Sequence, residues 1–198
     1  MEKKKLVIGL CGTLAAGKGI VTSILKSKGF QSVGLGDIVR EELLDRGMAI
    51  TRKNQQDIGN KLRKENGGQI LAQRALSKYK SYDSPLVIEG IRNMVEVDFL
   101  KANSNFFLIG VDAPFDVRWG RVQKRNRDAD LLNHDKFVID DSRDRGFNEP
   151  LDGQQTGMCL VHADFLINND EDFEKLDDSP IQKQVSDVYR EIQKRAKE

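Results

Sequence analysis

Residues 12–18 read Gly-Thr-Leu-Ala-Ala-Gly-Lys, which spells G-x-x-x-x-G-K, and run on into Gly19 and Ile20. Glycines at this spacing let backbone N–H groups turn inward around phosphate oxygens. The helix that follows adds the positive end of its dipole, and the lysine reaches the outer phosphates. The chemistry this predicts is the binding of a nucleoside triphosphate by Gly12, Thr13, Ala15, Ala16, Gly17, Lys18, Gly19 and Ile20. A plain glycine turn with a solvated lysine has the same letters, but not the strand before and the helix after that this sequence provides. Gly19 stands where a Ser or Thr hydroxyl usually meets magnesium. Thr13 and Thr22 are the nearby hydroxyls. Because Mg2+ keeps much of its water shell, a carboxylate acting through water is the alternative. Glu89 is the best such carboxylate, since it ends the run L-V-I-E at the edge where open α/β sheets bind ligands.

For these groups to meet, a strand must deliver the loop and a helix must receive it. K-L-V-I-G-L-C-G is a continuous apolar run closed by glycine, as in a parallel strand buried on both faces. After the loop, Ile20, Val21, Ile24 and Leu25 recur at helical spacing, and Gly29 stops them before a short strand in F-Q-S-V-G-L. From Asp37 to about Tyr82 the pattern is helical and polar. D-I-V-R-E-E-L-L-D-R-G opens on Asp37 as an N-cap candidate and closes on Gly47. The stretch T-R-K-N-Q-Q-D-I-G-N-K-L-R-K-E-N-G-G has too few apolar anchors to make a core alone, so residues 37–82 are expected to lie as a helical lobe over one. S-P-L-V-I-E-G and N-F-F-L-I-G-V-D-A-P read as strands flanking a helix with Val95, Phe99 and Leu100, and A-D-F-L-I-N-N-D as a late strand. Ser179 and Pro180 start a last helix striped by Ile181, Val185, Val188 and Ile192. The alternation predicts a P-loop three-layer α/β/α fold with a mostly parallel five-stranded sheet, residues 1–198 forming one domain.

Composition sets the outer limits. With 198 residues, 38% apolar and 32% charged, the chain is expected to be a well-solvated globular protein with one good core and no membrane span. The start M-E-K-K-K-L is read as retained, because a cleaved leader would remove the loop. Cys11 and Cys159 have no metal-ligand spacing and point to a reducing, cytoplasmic setting, as small core residues. A net charge of +1 gives no argument for nucleic acid. His134 and His162 are isolated and make no metal site, and Trp119 reads as a packing residue.

Three stretches, G-L-G-D-I-V-R-E, V-I-E-G-I-R-N and R-W-G-R-V-Q-K-R-N-R-D-A-D, follow the loop in the order seen in the P-loop nucleoside monophosphate kinases, and the chain resembles that family over most of its length. Adenylate kinases in particular have G-K-G followed by Thr, where this chain has Ile20. The ending A-D-F-L-I-N-N-D-E-D-F-E-K-L is similar to dephospho-CoA kinases, although Leu35-Gly36-Asp37 replaces their D-A-D. The resemblance implies that Arg40 and Arg92 grip the acceptor's phosphate, with Asp37 and Glu89 on the same side and Glu89 towards the metal. It implies that Arg121, Arg125 and Arg127 close a lid, residues 121–147, over the transferring group, with Arg143 and Arg145 nearby. Two guanidinium forks can neutralise and orient a phosphate together. The implied activity is phosphoryl transfer from ATP, with Mg2+, to a nucleoside or deoxynucleoside monophosphate. Lys18, Arg92 and the lid arginines would be the catalytic groups and small nucleotides the partners. Two alternatives stay open: a hydroxyl kinase like dephospho-CoA kinase, for which Asp37 is the candidate base, and an ATP-binding regulatory module, which Gly19-Ile20 keeps alive.

Overall fold

Five strands make one sheet: β1 (Leu6–Gly12), β2 (Gln31–Gly34), β3 (Leu86–Glu89), β4 (Asn105–Asp112) and β5 (Phe165–Asn168), in the order β2-β3-β1-β4-β5. Every pairing is parallel. This is a computed structural model, and it describes residues 4–79, 84–125, 133–171 and 179–197. The sheet is buried on both sides, which is why β1 and β4 are apolar runs rather than alternating ones. On β1, Ile8 and Leu10 face the core shared with α1 (Lys18–Ser27) and α9 (Pro180–Arg195). Val7 and Cys11 face the opposite core, shared with α2 (Leu35–Asp45), α3 (Arg52–Asn66), α4 (Ile70–Lys78), α5 (Met94–Asn103) and α8 (Thr156–Val161). From the carboxyl edge the chain continues into α6 (Phe115–Arg125) and α7 (His134–Arg145). The three-layer α/β/α expectation is met.

Local signals explain most of the boundaries. Ser179 caps α9 by accepting from the Gln182 N–H at 3.3 Å, and Pro180 supplies its first turn. Asp37 is not the cap of α2. β2 runs almost directly into that helix, so Gly34 is the N-cap and Asp37 lies in the first turn, its carboxylate against Gly34. There it still favours the positive end of the helix dipole. α8 was not foreseen, being too short for periodicity to show, yet it seats Cys159 in the core. Both cysteines are free and buried, and burial pushes the Cys11 thiol up to about 12, which keeps it protonated. Trp119 packs against His134 and Phe137, with ring centroids 5.3 and 5.5 Å away, joining α6 to α7. Among the described residues no helix is long and apolar enough to cross a membrane.

Candidate functional site

The loop between β1 and α1 is held from several sides. Gly17, the N-cap of α1, has φ +103, a left-handed conformation that suits glycine. A Cβ there would run into the side-chain amide of Asn169, which donates to the Ala16 carbonyl at 2.8 Å. Lys18 folds back, its Nζ donating to the carbonyls of Gly12 (2.8 Å) and Thr13 (2.7 Å). Burial lowers its pKa from 10.5 to about 8; Arg92 and Arg52 push the same way and Asp144 opposes them. The Thr13 hydroxyl is committed to Asp112, donating to Oδ1 at 2.6 Å. The Thr22 hydroxyl is buried and has no partner among the described residues.

Magnesium fits this edge only as a hydrated ion. Glu89 ends β3 and Asp112 ends β4, the two strands that flank β1, so a carboxylate stands on each side of the loop. Among the described residues no three His, Cys, Asp or Glu side chains converge as a metal cage. A Mg2+ carried in by triphosphate oxygens and water, with these carboxylates as outer partners, is compatible with that donor set.

The second half of the site is built by the β3–α5 loop. Gly90 (φ +80) turns the chain so that the N–H groups of Gly90 and Ile91 donate to the Leu10 carbonyl, at 3.0 and 3.1 Å. Ile91 packs over Gly9, where any side chain would collide with Ile91 and Phe106. The N–H groups of Arg92 and Asn93 donate to Glu96 Oε2 (2.8 and 3.2 Å), and Asn93 caps α5. The other oxygen, Oε1, accepts from Arg63 Nε and Nη2 of α3, at 2.9 and 2.8 Å. This pair is almost wholly buried, so α3 and α5 together fix the backbone at Arg92.

Beside Arg92 lies a recess open to solvent, walled by Leu35, Val39 and Leu71 and edged by Arg52, Gln56 and Gln154. Arg52 is the first residue of α3, just after the N-cap Thr51. It pairs with Asp144 of α7, which also accepts from Arg92 Nη1 and Gln56 Nε2, both at 3.0 Å. Burial pulls the Asp144 carboxyl upward, but Arg52, Arg92, Gln56 and Lys18 outweigh it and hold it below its ordinary value. Burial lowers Arg92 to about 10.

Of the residues the sequence singled out, the structure gathers Lys18 and Arg92 here. Arg40 lies at the rim of the recess: it is exposed on α2, paired with Asp37, and donates at 3.3 Å to Gln55, which lines the recess. Arg121 is buried and donates to the carbonyls of Asn169 (2.9 Å) and Glu171 (3.0 Å), bracing the segment that holds Ala16. The Arg125 side chain and the whole of Arg127 lie outside the described residues. Arg143 bridges to Asp57 and Glu149, and Arg145 to Asp141. Sequence reasoning missed Arg52, Gln56, Asp144, Gln154 and Arg118. Arg118 grips Asp141 with two bonds (2.6 and 2.9 Å) and donates to the Leu14 carbonyl, tying α7 to the loop. A signal existed for some of them. Arg52, Gln56, Gly59 and Arg63 fall at helical spacing on one face of α3, and Phe137, Asp140, Asp141 and Asp144 do so on α7, polar stripes that turn inward.

Residues 8–144 match the AAA domain family, and a UPF0200 protein of Methanocaldococcus jannaschii is 33% identical over 172 residues, 85% of this chain and 84% of that one. The chain belongs to both families. The AAA domain match runs from β1 to α7, so it takes in the loop, Arg92 and Asp144, while Gln154 lies beyond it. Among solved structures, TT1252 from Thermus thermophilus superposes with a TM-score of 0.62 at 16% identity, covering 96% of this chain and 98% of that one. Shikimate kinase from Bacteroides thetaiotaomicron gives 0.55 at 15% identity, covering 98% and 99%. The family's parallel sheet and its loop thus form a P-loop kinase-like fold.

Proposed function

We propose that the chain transfers the terminal phosphoryl group of ATP to a nucleoside or deoxynucleoside monophosphate. The observation that carries this reading is that Arg92 and Arg52 edge one recess and act electrostatically on Lys18, so cations for donor and acceptor phosphates lie together. The loop amides hold the triphosphate, and Lys18 exchanges its two carbonyl partners for phosphate oxygens. Mg2+, when bound with the nucleotide, neutralises charge on the outer phosphates. Arg52 and Arg92 align the acceptor, whose phosphate oxygen is already a competent nucleophile and needs positive charge and position rather than a base. The helices of residues 37–82 serve as the acceptor lobe. Arg125 and Arg127, in the segment 121–147, serve the closing lid, whereas Arg121 braces the Asn169 segment beside the loop; a cytoplasmic setting and small nucleotides as partners go with this reading.

One observation favours a second reading. Asp144 is an ionised carboxylate beside Arg92 and Lys18, which is what an alcohol acceptor needs to lose its proton. ADP release measured across the ribo- and deoxyribonucleoside monophosphates and dephospho-CoA separates the two. Turnover with a monophosphate, lost in Arg92→Ala through a steep rise in acceptor KM, is the expected result. Turnover with an alcohol alone selects the second reading, and ATP binding with no ADP from any acceptor leaves a regulatory module.

A further inference from the structure

Two buried donors at the edge of the recess have nothing to donate to among the described residues. Gln154 is 1% exposed, and its Oε1 accepts from Arg92 Nη1. Since a guanidinium only donates, the amide oxygen must face Arg92 and the amide nitrogen must face away. That Nε2 is buried and has no partner among the described residues, and the same holds for Arg52 Nε. Buried donors without acceptors are uncommon and costly, so two on one recess call for a group rich in lone pairs.

The charges point the same way. Arg63 is matched by Glu96, Arg118 by Asp141, and Arg143 by Asp57 and Glu149. Arg52 and Arg92, with Lys18 close by, are left to share the carboxylate of Asp144. Asp140, the neighbouring carboxylate on α7, also lies within electrostatic reach of Arg52, while burial raises its pKa. Asp144 reaches the two arginines from a different element, α7, and its two oxygens accept from Arg52, Arg92 and Gln56. A carboxylate so placed makes the contacts that a tetrahedral oxyanion makes, with one charge where a phosphomonoester carries nearly two.

We infer that Arg52, Arg92 and the side-chain amide of Gln154 form a phosphomonoester subsite in the recess, and that Asp144 fills it until an acceptor arrives. This rests on the reading of the recess as a kinase acceptor site, and it adds Arg52 and Gln154, which the sequence did not single out, to Arg92 as holders of the acceptor's phosphate. Gln154 both positions Arg92 and touches the substrate.

The test is Gln154→Glu, assayed with ATP and whichever nucleoside monophosphate the wild-type chain turns over fastest. The variant is isosteric and keeps an acceptor for Arg92, so its melting temperature should hold. It replaces the donor to phosphate with a negative charge. The expected result is a rise in acceptor KM of about thirty-fold or more, the scale of a lost charge-assisted hydrogen bond with repulsion added, while the KM for ATP stays within about twofold. Arg52→Lys, which keeps the charge and removes Nε, should raise acceptor KM about tenfold and guards against misfolding of the first variant. Unchanged acceptor KM in both variants, with monophosphate turnover intact in the wild type, overturns the subsite and leaves the kinase reading standing. Turnover with an alcohol acceptor and none with any monophosphate overturns both.

Discussion

Lys18 bonds two carbonyls of its own loop while burial and neighbouring arginines depress its pKa to about 8. In the proposed role of Lys18, triphosphate oxygens reverse that balance and raise the pKa, so ATP binding is expected to take up protons near pH 8. Affinity should therefore fall as pH climbs through about 8 towards the ordinary value of 10.5. Calorimetry at pH 8 in two buffers of different ionisation enthalpy measures the uptake, and an affinity flat across that range removes the assignment of Lys18 to phosphate. The same linkage acts on folding with the opposite trend. Between about 8 and 10.5 the unfolded chain holds more of the lysine proton, so the Lys18 contribution to stability grows with pH there. The neighbouring Gly19 is exposed, and a Cβ on it meets nothing within 4 Å. Gly19→Ser thus fits without moving the loop and adds a hydroxyl beside the phosphates. The expected outcome is half-maximal activity at lower magnesium, with about 0.5 kcal/mol of added helix stability. An unchanged magnesium titration means that the ion is held wholly through water and carboxylates.

At the level of elements, Arg92 is only as well placed as the clamp behind it. Glu96 holds the Arg92 backbone with one oxygen and Arg63 with the other, in a pair almost wholly removed from water. Arg63→Met leaves that carboxylate buried and unpaired, which costs about 3–5 kcal/mol. Adding Glu96→Gln removes the buried charge and should recover much of the stability without restoring Arg92. Urea unfolding with acceptor KM on the double variant decides between roles: wild-type KM there makes the clamp purely structural. The elements themselves were largely legible, because β1, α1 and α9 carry long apolar patterns with clear glycine, serine and proline signals. α8 was not, being six residues long. The loop could be read letter by letter because its chemistry is local. The recess could not, because Arg52 acquires its meaning from Asp144, 92 residues away, and Gln154 from Arg92, 62 residues away. Arg40 shows the converse. Its spacing matched a family pattern, and from the exposed side of α2 it reaches the recess only at its rim, through Gln55, while paired with Asp37.

Across the whole molecule, α3 and α7 are already bridged over the recess. Arg52 and Gln56 reach Asp144, Arg143 reaches Asp57 at 2.8 Å and Gln56 at 3.1 Å, and Asn60 bonds Glu149 just beyond α7. In the proposed subsite, an acceptor phosphate entering between them takes over contacts that now hold the two halves together, so ligand binding and global stability would draw on the same arginines. Asp144→Asn exposes that exchange. The native carboxyl is held below its ordinary value, so it contributes stability that is complete above the usual carboxylate range and lost as pH falls below it. The variant should lack this acid limb and lose about 3 kcal/mol near neutral pH, because two arginines lose the carboxylate they share. Inorganic phosphate should return much of the loss by binding the vacated arginines, since a ligand at about a hundred times its Kd stabilises by about 2.7 kcal/mol. In the wild-type chain the same phosphate must first displace Asp144, so its effect on the melting temperature should be smaller. Thermal unfolding of both proteins with phosphate against chloride at matched ionic strength measures the difference. If phosphate raises the variant's melting temperature no more than chloride does, Asp144 is a structural carboxylate holding α7 to α3, and the acceptor's phosphate binds elsewhere.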